Sequence, residues 1–553
     1  MTGLDPQVSS TVIVVMALYL GALLVIGWLA SRRTHGGEDF HLAGRSLGAW
    51  AAAISSTASS ESGWVTLGAV GMTYSHGVSG LWFAPGCLLG YLVNVFIVAP
   101  RLRRLSSDQG SVTLTDVLTR RWNDPSNVLR VTATAIVLVC MMGYVAAQMT
   151  AAGKAFSSSL GIAGHTGYVA GVLVGAVVIT LVTSLGGFRA VAWTDLFQGL
   201  LMALALVAMP LYVILKEGGF GWLVDRLGAL DPGLLSATGG MAGPALFGFV
   251  VGNLGIGLGY PGMPHVVTRY MAARDEREIR RLRVIVVLWG VLVFYGAGLV
   301  GLAGRVLHPD LADGEQTLIV LALELFHPIL AGLLLAAVIA AILSTVSSQL
   351  LVAASSVSYD IVEETLGRAS DDRRSLALGR WTVVVVGALG VAVALSQVRL
   401  VFWFVLFAWS GLGAAFAPLV LIGVTRPQLM NRFGALAAML TGVGVTVVWK
   451  LGRDAATAPE AFSRSGWAVV IAGAAILLLG RLRDSFEVGD RGAVLTATAV
   501  TLGAWFLVPR WGFDQLYELV PAFTLATAAG LAVSRLLPDH TLGGGVMPKD
   551  SRT

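Results

Sequence analysis

Charge is what this 553-residue sequence has least of: 12% of its residues are Asp, Glu, Lys or Arg, against roughly 25% in soluble domains. That scarcity argues against a soluble fold. Cysteine is nearly absent. Cys87 and Cys140 lie in separate apolar runs, with no spacing for a disulfide framework or a zinc centre, so both read as small buried hydrophobes. No Ser/His/Asp order, metal motif or phosphate loop sits in a workable context. The stretch "GLGYPG" at 257–262 has glycines but no preceding strand, which a nucleotide loop requires. An enzyme is therefore not expected, nor an enzymatic cofactor.

What the chain does have is hydrophobic length: 56% of its residues are hydrophobic. Apolar runs of about 18 residues or more recur from 11 to 537, each long enough to cross a core of about 30 Å as a helix. The chain reads as an all-α polytopic membrane protein. Its first run, 12–29, has no A-x-A cleavage pattern behind it and is followed by Ser31, Arg32 and Arg33, so it reads as a retained span. The net charge of +5 then carries no nucleic-acid meaning, because arginines in such a chain mark its cytoplasmic side. Residues 1–10 hold no Lys or Arg, and 73–77 are uncharged. Arginines cluster at 32–45, 101–104, 120–121, 189, 269–283, 368–380, 426–432 and 481–491. Threading these gives about fifteen helices, with the N-terminus outside, the C-terminus cytoplasmic, and 216–243 as the longest external stretch.

Two spans are interrupted. The first holds "ISSTASSESGW" at 54–64, with six Ser or Thr and Glu61 between apolar flanks. The second, within 245–266, contains "FGFVVGNLGIGLGYPGMPHV", with six glycines plus Pro261 and Pro264. Proline removes a backbone donor, and each glycine costs about 1 kcal/mol of helix propensity relative to alanine. Both spans should break near mid-membrane. Unwound backbone is tolerated there only when buried in protein or lining a cavity, and a matched pair of breaks points to a transporter binding site. Five helices run from each break, at 47–215 and 244–424, the first starting inside and the second outside. That is a 5+5 inverted repeat. Residues 1–46 form an extra N-terminal helix and inside loop, 216–243 an external loop, 425–540 about four extra C-terminal helices, and 541–553 a cytoplasmic tail.

A hydroxyl stripe supplies the chemistry. In "AAILSTVSSQLL" at 340–351, Ala341, Ser344, Thr345 and Ser348 fall at i, i+3, i+4 and i+7, with Ser347 beside them, so they share one helical face. Hard cations take oxygen ligands, and freed carbonyls from a break would complete such a set. Asp195 and Glu61 are intramembrane acids, a class that is expensive and usually functional.

At these residues the chain resembles the sodium:solute symporter family, most of all its sodium/proline branch. The matching stretches include "LAGRSLGAW" (42–50), "TASSESGW" (57–64), "GGFRAVAWTD" (186–195), "LGYPGMPHVVTRYMAA" (258–273), "STVSSQLLVAASS" (344–356), "AWSGLGAAFAPLVL" (408–421) and "LYELVPAF" (516–523). The resemblance implies a main sodium site from the carbonyls of Ala58, Glu61 and Ala341 with the hydroxyls of Ser344 and Thr345. It implies positions for a second sodium at Asp195, Ser344, Ser347 and Ser348. The implied substrate positions are Ser60, Trp64, Gly68, Tyr144, Gln148, Tyr260 and Pro264. Sodium is the only metal expected, as coupling ion.

Departures from the proline pattern are Ser60 in place of an acid that returns at Glu61, Ile256 in place of a tryptophan, and Pro261 and Met263 beside the second break. A further one is a two-helix insertion at about 452–515. The expected function is Na⁺-coupled import of a small solute, proline or a related amino acid, across a bacterial plasma membrane. The alternatives are a monocarboxylate, a vitamin-like acid, or a membrane sensor; the last is disfavoured because only about fifteen residues follow the last helix. The expected partners are Na⁺, the solute and lipid, with no nucleic acid and the monomer as transport unit.

Overall fold

Long apolar helices account for nearly all the architecture. The computed structural model describes residues 6–160, 164–368, 371–396, 400–453, 468–478, 487–507 and 516–539. The tail at 541–553 and much of the expected insertion lie outside them. Among the described residues there is no strand, only an isolated bridge between Leu47 and Ala273, and eleven helical stretches are long and apolar enough to cross a membrane.

The helices used below are α1 (Pro6–Ser31), α2 (Ala49–Gly63), α3 (Phe83–Val93), α4 (Val128–Leu160), α5 (His165–Ala203), α6 (Gly243–Gly255), α7 (Pro264–Met271), α8 (Glu276–Leu307) and α9 (Pro328–Ser355). Then come α10 (Asp372–Leu395), α11 (Leu400–Thr425), α12 (Arg432–Arg453), α13 (Val488–Leu507) and α14 (Leu519–Leu536).

Two of the eleven stretches are too long for a single crossing and hold more than one helix. In Ala49–Asp108 the chain folds back on itself. Ser60 meets Tyr91 at 3.0 Å, and Arg45, just before the stretch, donates to Ser106 near its end at 3.1 Å. In His165–Glu217 the helical run is broken at Gly187, whose φ of 54° and close approach to Phe40 leave no room for a Cβ.

Both expected breaks are present. In the first span, Ser62 leaves the helix with φ 45°, a conformation that costs a non-glycine residue about 1–3 kcal/mol. Its hydroxyl accepts from the Trp64 N–H at 3.0 Å, and the chain continues through a wide turn over Trp64–Ala69. In the second span a tight 3₁₀ segment, Ile256–Gly262, ends at extended Met263, and Pro264 opens α7, where its missing N–H does no harm.

The two interrupted spans lie antiparallel. Leu47, before the first, exchanges backbone bonds with Ala272 (3.1 Å) and Arg274 (2.9 Å), after the second. At the other end Gly77 packs on Leu234, and Trp82 Nε1 donates to Ala237 O at 2.9 Å, shortly before α6. The start of one span meets the end of the other, as an inverted repeat requires.

The centre of the molecule is α9, buried over nearly its whole length and packed on α2, α4, α5 and α1. In contrast α10 turns much of its surface outward. The stretch 216–243 holds a helix at Gly219–Leu230. Past the core, α12 packs on both α13 and α14. A short helix at Ala468–Leu478 lies close to α13, where a Cβ on Gly473 would sit 2.5 Å from Thr498.

Arginine-rich segments distant in sequence gather at one end. Arg103 donates to Ala273 O at 2.6 Å, Arg104 pairs with Glu276 at 2.8 Å, and Arg120 pairs with Glu364 at 3.2 Å. Arg269 does not belong with the exposed arginines that follow it at 274–281. It is buried completely, and a charge inside protein is no marker of a membrane face.

Candidate functional site

The hydroxyl stripe of α9 faces the first break directly. Ser344 Oγ lies 3.1 Å from both Ala58 O and Ala341 O. Thr345 Oγ1 lies 3.2 Å from both Ser59 O and Ala341 O. All five residues are buried to 0% exposure, and Met202 packs on Ala58 and Ala341. The result is a buried knot of two hydroxyl and three carbonyl oxygens, with no charged member. Hydroxyl and carbonyl oxygens of this kind are ligands for a hard cation.

Four of the expected main-site residues, Ala58, Ala341, Ser344 and Thr345, are therefore brought together. The carbonyl of the fifth, Glu61, accepts from the Trp64 N–H at the break. Its carboxylate takes Tyr91 OH and Trp289 Nε1, each at 3.1 Å. Ser59 is an oxygen donor the sequence argument did not name, and neither was Met202.

One turn along α9 the arrangement changes. Ser348 Oγ accepts from Arg269, whose Nη2 also lies 3.4 Å from Asp195 Oδ2. Ser347 instead bonds back to Ser344 O at 2.8 Å. Arg269 carries no pattern that separates it from the exposed arginines beyond it, so its role was not legible.

The substrate positions form three groups. Gln148 Oε1 reaches the Gly63 N–H at 3.4 Å, beside Trp64, whose ring stands edge-on to Phe83 at 5.5 Å. Gly68 is the small residue against that ring, where a Cβ would come within 3.3 Å. Ser60 bonds Tyr91 OH, and Tyr91, Tyr260 and Trp409 make an edge-on aromatic chain with 4.9 Å between successive centroids. Tyr144 stands edge-on to His265 at 6.4 Å. Trp409 and Tyr91 are further members that the sequence argument missed, although Trp409 lies in one of its matching stretches. A small pocket lies between His41, Thr113, Phe188, Thr268 and Leu351. Of the expected substrate positions only Pro264 lines it.

Comparison with known proteins places the chain in one family. Residues 40–442 match the model of the sodium:solute symporter family. The chain is 37% identical over 434 residues to the high-affinity proline transporter PutP of Bacillus subtilis, covering 77% of this chain and 89% of that one. It is 36% identical over 452 residues to the sodium/proline symporter of Escherichia coli, covering 80% and 88%. A solved Na⁺-coupled sialic acid symporter, in a substrate-bound outward-open state, superposes with a TM-score of 0.65 at 19% identity, over 91% of this chain and 98% of that one. At that identity it speaks for the fold alone.

Proposed function

This chain belongs to the sodium:solute symporter family, an integral membrane transporter and not an enzyme, and from that premise we propose that it imports proline, or a closely related amino acid, with Na⁺. The observation that carries the reading is the knot at the first break, where Ser344 and Thr345 hydroxyls meet the Ala58, Ser59 and Ala341 carbonyls in full burial. Neutral oxygens suit a singly charged ion that must also leave. Na⁺ binding there props the break open. The solute then takes the adjoining surface of Ser60, Trp64, Gly68, Tyr144, Gln148, Tyr260 and Pro264. Trp64 and Tyr260 give it flat apolar walls with polar tips. The relatives' names supply the solute class.

Glu61 contributes its backbone to the ion and its side chain to the packing of Tyr91 and Trp289. Reciprocal linkage requires each ligand to raise the other's affinity. Membrane potential adds about 2.3 kcal/mol per charge per 100 mV, roughly fifty-fold accumulation for one ion. The repeats are taken as 47–215 and 244–424, and the bonding of Leu47 to Ala272 and Arg274 supports that division. The gathered arginine segments support an N-terminus outside and the arginine-rich end in the cytoplasm.

The test is uptake of labelled proline into proteoliposomes, driven by a sodium gradient and competed with a panel of amino acids, monocarboxylates and vitamin-like acids. Sodium-dependent accumulation competed best by proline is expected. Equal accumulation in choline or potassium buffer would sink the coupling, and stronger competition by a carboxylate without an amino group would sink the solute.

A further inference from the structure

The second cluster on α9 already holds a cation. Arg269, Asp195, Ser55 and Ser348 are all buried to 0% exposure. The Arg269 Nη2 faces Asp195 Oδ2 at 3.4 Å and donates to Ser348 Oγ. Its Nε donates to Ser55 Oγ at 3.1 Å, and its Nη1 to His265 O. Ser55 in turn donates to the same Asp195 oxygen at 2.6 Å, and the Phe188 ring caps the guanidinium at 4.9 Å. A carboxylate, two hydroxyls and a carbonyl thus converge on one positive group from α2, α5, α7 and α9.

These are the ligand types a hard cation takes, and Asp195 Oδ1 is buried without a hydrogen-bond partner among the described residues. The cluster has the donors of an ion site, yet its charge is already balanced. A guanidinium stays protonated under all physiological conditions. A further Na⁺ would leave an uncompensated positive charge in a dry interior, which is strongly unfavourable.

Resting on the function proposed above, we propose that Arg269 is the resident cation of this second cluster, occupying the place of a second Na⁺, so that the carrier moves one Na⁺ per solute. The side chain stands in for a diffusible ion and is never released. Removing its charge exposes Asp195 and turns the cluster into a working ion site. Arg269 is then a residue that sets coupling stoichiometry without touching the solute.

The experiment measures radiolabelled sodium and proline fluxes together in proteoliposomes for the wild type, Arg269→Gln and the double variant Asp195→Asn/Arg269→Gln. The wild type should show a flux ratio of about 1 and a hyperbolic sodium dependence. Arg269→Gln should raise the ratio to about 2 with a Hill coefficient moving towards 2. The double variant, with no charge to balance, should return to about 1. A sodium-coupled wild type with a ratio of about 2 overturns the inference alone, as does an active Arg269→Gln whose ratio stays at about 1. Uptake indifferent to sodium overturns the proposed function as well. Should Arg269→Gln fail to insert, Arg269→Ser, which also removes the charge and leaves a hydroxyl in its place, is read for the same rise to about 2, and a ratio that stays at about 1 overturns the inference.

Discussion

Ser344 and Ser348 sit four residues apart on the same face of α9, equally buried, and serve opposite chemistry. Around Ser344 every oxygen is neutral and bonded to another neutral oxygen. Around Ser348 a carboxylate and a guanidinium neutralise each other. Burial alone therefore does not tell an ion site from a structural fastening; the charge balance does. A neutral knot gains from an incoming Na⁺ and survives its departure. A knot built on a carboxylate must hold a cation for as long as it stays buried, because an isolated charge in low dielectric is far too costly. The first is suited to a travelling ion, the second to a permanent one.

The comparison breaks hardest at Asp195. Asp195→Ala strands Arg269 in the interior and should destabilise the protein by about 3–5 kcal/mol, seen as a large fall in melting temperature in detergent. Asp195→Asn/Arg269→Gln should recover most of that loss, since it removes both charges together. If the single and double variants melt alike, the pair does not carry the burden assigned to it. The neutral knot should behave otherwise. Ser344→Ala/Thr345→Ala removes two hydroxyl ligands at about 1 kcal/mol or somewhat more each, so apparent sodium affinity should drop by roughly 30-fold to 150-fold, with melting little changed. Sodium-titrated uptake reads the first quantity, and unchanged sodium dependence would remove these hydroxyls from the site.

The same contrast explains what the sequence made legible. The hydroxyl stripe announced itself by helical spacing, and the breaks by glycine, proline and small polar residues where a span should be apolar. Those signals are local, so Ser344 and Thr345 on α9 and the polar break in α2 could be named before any fold was known, while Ala58 was named only through the family resemblance. The acid–base cluster is non-local. Asp195, Arg269 and Ser55 lie on α5, α7 and α2, and no one-dimensional spacing brings them together. Arg269 was also disguised, since it opens a run of arginines whose other members lie at the surface. The aromatic chain through Tyr91, Tyr260 and Trp409 was half legible for the same reason: Tyr260 lies at a break, while its partners come from α3 and α11.

A smaller effect sharpens the role of the break. Ser62 holds its φ of 45° while its hydroxyl receives the Trp64 N–H. Ser62→Ala keeps the strained backbone and loses the bond, at about 1 kcal/mol. Ser62→Gly loses the same bond but relieves the strain, so the two nearly offset each other. Glycine should therefore be the milder substitution in both melting temperature and uptake. If alanine is milder, the φ of Ser62 is not a constraint on the break.

The smallest effect is expected where the same ion-pair chemistry meets solvent. Arg104 and Glu276 pair at 2.8 Å, closer than Arg269 and Asp195, but their side chains are 67% and 48% exposed. Water solvates both charges equally well apart, so an exposed pair of this kind contributes little and weakens further with added salt. Arg104→Gln should leave uptake intact and shift melting by no more than a degree or two, with the difference vanishing at high ionic strength. A loss comparable to that of Asp195→Ala would mean that distance, and not burial, decides what an ion pair is worth in this fold.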